Sequence, residues 1–104
     1  MMTKIIISQD FSSKPFGRYP SDGKWSGERF RDELLIPAFE DIQNKEVVVN
    51  LDNVVRGFGS SFLEEAFGGL IRAGFDKEEV KQKLKIESTD QDYVIEINQY
   101  IDEA

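Results

Sequence analysis

The pattern of apolar and polar residues divides the chain into short β-branched runs and longer segments with helical periodicity. Continuous apolar runs at residues 4–8, 47–51 and 84–87 predict three strands, and the first is apolar enough to be buried on both faces. A further strand is expected at residues 16–19, because the connection over residues 9–25 is longer than most connections in a small domain.

Apolar residues that recur every three or four positions predict three helices, and Asp76 with Glu79, a capping-box variant, predicts a further helix of one to two turns. Each predicted helix follows a residue type whose side chain favours the N-cap position. The expected N-caps, in chain order, are Ser26, Ser60 or Ser61, Asp76, and Thr89 or Asp90. Pro37 falls inside the first helical pattern, so we expect a kink there or two short helices that meet at this residue.

The order of these elements indicates the fold class. Strands alternate with helices, which is typical of an α/β sandwich whose mostly parallel or mixed sheet is covered by helices. The chain of 104 residues is long enough for one hydrophobic core. We therefore expect a single domain over residues 1–104.

The composition excludes several kinds of chemistry. The chain contains no Cys and no His. Their absence removes thiolate nucleophiles, His-based general acid–base catalysis and most zinc or transition-metal sites. We therefore expect neither enzymatic activity nor a bound metal ion or cofactor.

The charge and hydropathy of the chain restrict its partners. The formal net charge is −7, and the basic residues lie among acidic ones. A surface of this kind repels nucleic acid and anionic lipid. No apolar run approaches the ~20 residues of a membrane span, and the N-terminal segment lacks the features of a signal peptide. We expect a cytoplasmic protein that binds neither nucleic acid nor a membrane.

A glycine-containing turn connects the second predicted strand to the second predicted helix. Its sequence is Gly57-Phe58-Gly59-Ser60-Ser61. Glycines allow close approach of the backbone to a partner, and a helix start offers unpaired N–H groups. The simplest interpretation is that a serine caps the helix. A phosphate-binding loop is the alternative, although the turn lacks the P-loop lysine and the full dinucleotide-binding spacing.

The same region carries a resemblance to a known family. Residues 47–54, Val-Val-Val-Asn-Leu-Asp-Asn-Val, and residues 59–63, Gly-Ser-Ser-Phe-Leu, resemble the core of STAS domains, named for sulphate transporters and anti-sigma-factor antagonists. The wider chain resembles a closer group, the STAS-like bacterial proteins of unknown function. The residues that carry this closer resemblance are 17–23, 26–31, 34–38 and 59–69. The resemblance implies a small STAS-like sandwich.

The resemblance also implies a phosphoserine switch. In anti-sigma-factor antagonists, a GHKL-type partner kinase phosphorylates the serine that follows an Asp at this helix start. The acceptor would be Ser60 if Gly59 occupies the Asp position, or Ser61 if Ser60 does. The helix start favours a phosphate, whereas Glu64 and Glu65 would repel it. Modification would then act mainly by expelling an acidic or apolar partner surface.

A second candidate site lies in the loop before the first helix. Arg18, Tyr19, Asp22 and Trp25 combine aromatic and charged side chains, a composition that is favoured in binding loops. The alternative is structural, with Tyr19 and Trp25 covering the sheet edge and Asp22 forming a turn. The sequence leaves both interpretations open.

These observations lead to a functional hypothesis. We expect a non-catalytic regulatory interaction domain, similar to anti-sigma-factor antagonists, whose partner is a GHKL-type ATPase or kinase-like protein. Partner contacts are expected at Gly57, Phe58, Gly59 and Glu64, together with the loop before the first helix. The alternative is a small-molecule or nucleotide-binding domain that uses the same helix start at Gly57–Ser61 together with Arg18 and Lys24.

Overall fold

Three parallel strands form the sheet of the structure, a computed structural model that describes residues 1–104. Strand β1 is Met2–Ile6, β2 is Glu46–Asn50 and β3 is Leu84–Glu87. The strand order is β1-β2-β3. The predicted parallel sheet is confirmed, and the third strand has the predicted bounds.

Four longer helical segments surround this sheet. We number them α1 over residues 27–40, α2 over 60–72, α3 over Lys77–Lys83 and α4 over Gln91–Glu103. Helices α1 and α2 each contain a π-helical turn, Arg31–Leu35 in α1 and Glu64–Gly68 in α2. A further π-helical turn, Ile7–Phe11, follows β1. None of the helices has the length and apolar content that crossing a membrane requires.

Alternate residues of the strands point to two different faces of the sheet. The residues that face the core are Thr3, Ile5, Val47, Val49, Leu84 and Ile86. The residues of the opposite face are Met2, Lys4, Ile6, Glu46, Val48, Asn50, Lys85 and Glu87. An ion pair joins Lys4 to Glu87 across this second face at 3.0 Å. The helices therefore cover one face, and the expectation that β1 is buried on both faces is wrong.

The bounds of the first strand and the structure that follows it also differ from the prediction. The strand ends at Ile6, where the Asp10 carboxylate accepts a hydrogen bond from the Ile6 N–H at 2.7 Å. Residues 12–26, which include the strand expected at 16–19, form neither helix nor strand. Carbonyls of loop 12–26 instead accept hydrogen bonds from α1: Gly17 O accepts from the Gly27 N–H, and Arg18 O accepts from the Glu28 N–H. This docking fixes the loop against the start of α1.

Pro37 lies inside α1 without dividing it into two helices. The π-helical turn ends just before Pro37, and the Ile36 N–H donates to the carbonyl five residues earlier, at Arg31. A π turn offers an alternative pairing for backbone groups near a proline, which has no N–H. The irregularity that Pro37 predicts therefore takes the form of a π turn.

Helix α2 lies at the centre of the hydrophobic core. Phe62 and Phe67 are fully buried, as is Phe30 of α1. The rings of Phe30 and Phe62 lie 5.8 Å apart, and those of Phe30 and Phe67 lie 6.3 Å apart. Aromatic pairs at these distances stabilise a core beyond their buried area. The buried face of α2 fixes its first turn, which carries Ser60 and Ser61, at the surface.

Candidate functional site

The first turn of α2 has no side-chain cap. Gly59 is the N-cap residue, in an extended conformation with φ −79° and ψ 156°, and it has no side chain to accept a hydrogen bond. Ser60 and Ser61 occupy the first two helical positions, and both are exposed. The expectation that a serine caps this helix is wrong. The caps expected at the other helices are present, at Ser26, Asp76 and Asp90.

Two surface clefts flank this helix start. The first has a volume of about 440 Å³ and is lined by Lys14, Pro15, Phe16, Arg56, Gly57, Phe58 and Gly59. The second has a volume of about 390 Å³ and is lined by Phe16, Gly17, Arg18, Asp22, Gly59, Ser60, Ser61 and Phe62. Because both clefts are lined by Phe16 and Gly59, they adjoin each other and together make up one surface around the helix start. We call this surface the serine trough.

Hydrogen bonds and aromatic packing hold the loop that forms one wall of the trough. The Val55 N–H donates to Ser13 O at 2.8 Å. The Phe58 N–H donates to the Tyr93 hydroxyl at 3.1 Å, and the two rings lie 5.5 Å apart in an edge-to-face arrangement. Gly57 has φ +69°, and a Cβ atom there would lie 2.5 Å from the Tyr93 hydroxyl. Gly57 and Phe58 therefore position the wall, while Gly59 lines both clefts.

The residues predicted to form a binding loop before α1 divide into two that shape the loop and two that lie at the surface or in a cleft. The Asp22 carboxylate accepts hydrogen bonds from the N–H groups of Arg18 and Tyr19, at 3.2 and 3.0 Å. The Trp25 ring packs edge-on against Phe11 and lies under the Arg29 guanidinium, 4.4 Å from the ring centroid. Asp22 and Trp25 thus hold the loop in shape. Arg18 lies in the second cleft, and Tyr19 is 47% exposed.

Arg18 also belongs to a charge network that the sequence does not reveal. It donates hydrogen bonds to both Glu64 and Glu65, the latter at 3.0 Å. Arg72 forms a bidentate pair with Glu64 at 2.6 and 3.1 Å, and Arg31 pairs with the buried Glu65. No buried side-chain nitrogen or oxygen lacks a hydrogen-bond partner. The network joins the loop before α1 to the middle of α2.

The network changes the electrostatics of the helix start. The hydrogen bond from Arg72 is the main cause that holds the pKa of Glu64 below its usual value. The hydrogen bond from Arg18 acts in the same direction, and burial opposes both. The hydrogen bond to Glu64 is the main cause that raises the pKa of Arg18. Arginines are paired with both Glu64 and Glu65, and such pairing weakens the repulsion that these carboxylates exert on a neighbouring negative charge.

A tyrosine of α4 lies beside the first of the two serines. The Tyr100 hydroxyl donates to the Glu96 carboxylate at 2.6 Å. This hydrogen bond is the main cause that raises the pKa of Tyr100 to about 12, and the Ser60 side chain has a smaller effect in the opposite direction. Tyr100 is therefore protonated near neutral pH and keeps its hydroxyl directed to Glu96.

Several residues of the trough were not singled out by sequence reasoning. Phe16 lines both clefts with its side chain 67% exposed, and Lys14 and Arg56 lie in the first cleft. No local pattern marks these three residues, because the trough forms where two loops 40 residues apart in the chain meet, as the Ser13–Val55 hydrogen bond illustrates. No group of three or more acidic side chains is arranged to hold a metal ion.

The geometry described so far defines a small α/β domain with a parallel sheet and an exposed, glycine-capped helix start. A family model described as a STAS-like domain of unknown function (DUF4325) matches residues 26–94, about two thirds of the chain. The chain therefore belongs to this family. The match includes β2, the Gly57–Ser61 turn and the whole of α2. No curated protein and no solved structure matches the chain significantly.

Proposed function

We propose that this STAS-like domain is a non-catalytic regulatory module that binds a partner protein through the serine trough. The observation that carries this proposal is the exposure of apolar side chains around the two serines. Phe16, which lines the second cleft together with Ser60 and Ser61, is 67% exposed, and Val55, the chain neighbour of Arg56 in the first cleft, is 62% exposed. Large apolar side chains clustered on a monomer surface are typical of interaction sites.

The trough is suited to a stable contact because its shape is held in place. The Val55–Ser13 hydrogen bond between loops 12–26 and 51–59, and the packing of Phe58 on Tyr93 and Phe62, fix its walls. A surface that is ordered before binding loses less conformational entropy on association. The chain has no Cys or His to supply a nucleophile or a neutral general base, which supports a binding role over catalysis.

The regulatory part of the proposal concerns Ser60 and Ser61. Both hydroxyl-bearing side chains are exposed, and the helix start beside them lacks a side-chain cap. A phosphate there would meet the unpaired N–H groups of the first turn. We infer from the likeness to anti-sigma-factor antagonists that the partner is a GHKL-type ATPase or kinase-like protein. Phosphorylation would place about two negative charges in the middle of the contact surface.

The test is phosphorylation by a candidate partner. The chain is incubated with ATP and a GHKL-type protein encoded near its gene, and the intact mass is measured. We expect one added phosphoryl group, which peptide mapping assigns to Ser60 or Ser61. Ser60→Ala and Ser61→Ala variants decide between the two acceptors, because only one of them loses the added mass. Absence of any phosphoryl group, or its presence elsewhere in the chain, would refute the switch.

Binding of a small molecule or nucleotide is the second candidate function. The observation that favours it is the second cleft, about 390 Å³ in volume, where Arg18 lies with Ser60 and Ser61. This volume is within the range of small-ligand pockets. Thermal unfolding with and without ATP tests it. A rise in the midpoint that Arg18→Ala removes would support nucleotide binding, whereas an unchanged midpoint would count against it.

A further inference from the structure

The first cleft of the serine trough has a charge opposite to that of the whole protein. The chain carries a net charge of −7. Nevertheless, the residues lining this cleft include two cations, Lys14 and Arg56, and no carboxylate. Both cations are exposed, and neither takes part in any ion pair of the structure.

Unpaired cations at this cleft contrast with the arginines nearby. Arg18, Arg31 and Arg72 are all held by carboxylates of α2. Their charges are therefore satisfied within the protein, while those of Lys14 and Arg56 remain available to a partner. Positive potential inside a cleft attracts and orients acidic groups even on a protein whose overall charge is negative.

Apart from the two cations, the lining of the first cleft consists of apolar residues and glycines. Pro15 is buried, and Phe58 packs against Phe62 with ring centroids 5.4 Å apart. The exposed Phe16 side chain forms the border with the second cleft. An occupant must therefore offer both an apolar group for the floor and acidic groups for the rim.

We propose that the first cleft docks an acidic segment of a partner protein, with an apolar or aromatic side chain placed between Lys14 and Arg56. The inference rests on the proposed function and specifies the chemistry of the partner at that site. A peptide segment fits better than a small molecule, because the second cleft adjoins the first at Phe16 and Gly59 and an extended chain can contact both.

The experiment selects ligands without assuming a partner. A randomised peptide library displayed on phage is selected against the immobilised chain, and enriched peptides are synthesised and measured by fluorescence anisotropy. We expect enriched sequences with Asp or Glu flanking an aromatic or large aliphatic residue. Their affinity should fall with rising salt concentration, because exposed charge pairs are screened.

Variants locate the binding site. Lys14→Glu combined with Arg56→Glu should weaken binding of the selected peptides by about tenfold or more, because attraction becomes repulsion. Lys45→Glu combined with Lys85→Glu is the matched control, since it changes net charge equally at exposed residues outside the trough. Phe16→Ala should also weaken binding. Circular dichroism checks that each variant is folded.

The outcomes separate this inference from the phosphoserine switch. The inference would be overturned if no sequence is enriched or if the enriched sequences lack acidic residues. It would also be overturned if the trough and control double variants lose equal affinity for the peptides. Selected acidic peptides that require Lys14 and Arg56 would support it even if neither serine is ever phosphorylated. Conversely, substitutions of the serines could weaken binding of a partner while substitutions of Lys14 and Arg56 do not. That result would support the proposed function and refute the docking of an acidic segment.

Discussion

At the scale of single residues, Gly27 allows the start of α1 to lie directly against α2. A Cβ atom at this position would lie 2.5 Å from the carbonyl oxygen of Phe62 and 3.1 Å from its Cα. Both atoms belong to the backbone, so they cannot move away by a change of rotamer. The sequence offers no sign of this contact, because Gly27 follows a good N-cap serine and resembles any loop glycine.

Substitution of Gly27 by alanine tests this close approach. We expect Gly27→Ala to lower the free energy of unfolding by about 1–3 kcal/mol, because the helices must separate to accommodate the new methyl group. Gly23→Ala is the matched control. Gly23 lies in loop 12–26 and has no positive φ, and the nearest atom to a Cβ there would be Cδ2 of the exposed Phe16 side chain, which can rotate away. Urea denaturation measures both variants, and equal stability of the two would contradict the packing described.

At the scale of elements, the sequence predicts most helix boundaries from local chemistry. Asp76 and Asp90 accept hydrogen bonds from N–H groups of their first turns, as their positions predict. Gly74, with φ +107°, ends α2 as expected of a glycine after a helix. The start of α2 could not be assigned in this way. Glycine and serine are both favoured N-caps, and only the tertiary setting selects Gly59.

Alanine substitutions at the helix starts distinguish capping residues from the serines of α2. We expect Asp76→Ala and Asp90→Ala to lower the free energy of unfolding by about 1 kcal/mol each, because each removes a cap hydrogen bond. Ser60→Ala and Ser61→Ala should change it by only a few tenths of a kcal/mol, since neither serine is the cap. Denaturant unfolding of the four variants provides the comparison. If alanine at either serine lowers the free energy of unfolding as much as alanine at the aspartates, that serine has a structural role.

At the scale of the whole molecule, the charge network connects parts of the chain that local patterns treat separately. Arg18 lies in the loop before α1, whereas its partners Glu64 and Glu65 lie on α2, more than 40 residues later. Hydrophobic periodicity predicts which face of α2 is buried, but it does not predict that arginines reach Glu65 there. For the same reason, the residues of the trough other than the Gly57–Ser61 turn and the Arg18 loop were not predicted.

The network makes the stability of the molecule dependent on pH through Glu64. Its folded-state pKa lies below the ordinary value of 4.5, chiefly because of Arg72. The stabilisation that Glu64 contributes is therefore present above that ordinary value and is lost as the pH falls through the lower, folded-state pKa.

Unfolding by urea at several pH values checks this dependence. We expect the difference in free energy of unfolding between the wild type and Glu64→Gln to be largest near neutral pH and to shrink under acid conditions. Glu40→Gln is the control, because Glu40 is exposed on α1 and has no ion pair to lose. A Glu64→Gln difference that stays constant across the acid range would show that the network does not stabilise the fold in this way.

The affinity of the chain for a GHKL-type partner tests the regulatory role of the serine trough most directly. The dissociation constant is measured for the wild type, Ser60→Glu, Ser61→Glu and Gln82→Glu. Gln82 is exposed on α3 and outside the trough, so its substitution adds the same charge at a distant site. We expect at least one serine variant to weaken binding by about tenfold or more, because it places a charge inside the contact surface, and Gln82→Glu to match the wild type. Equal affinities for all four proteins would contradict a switch at this helix start.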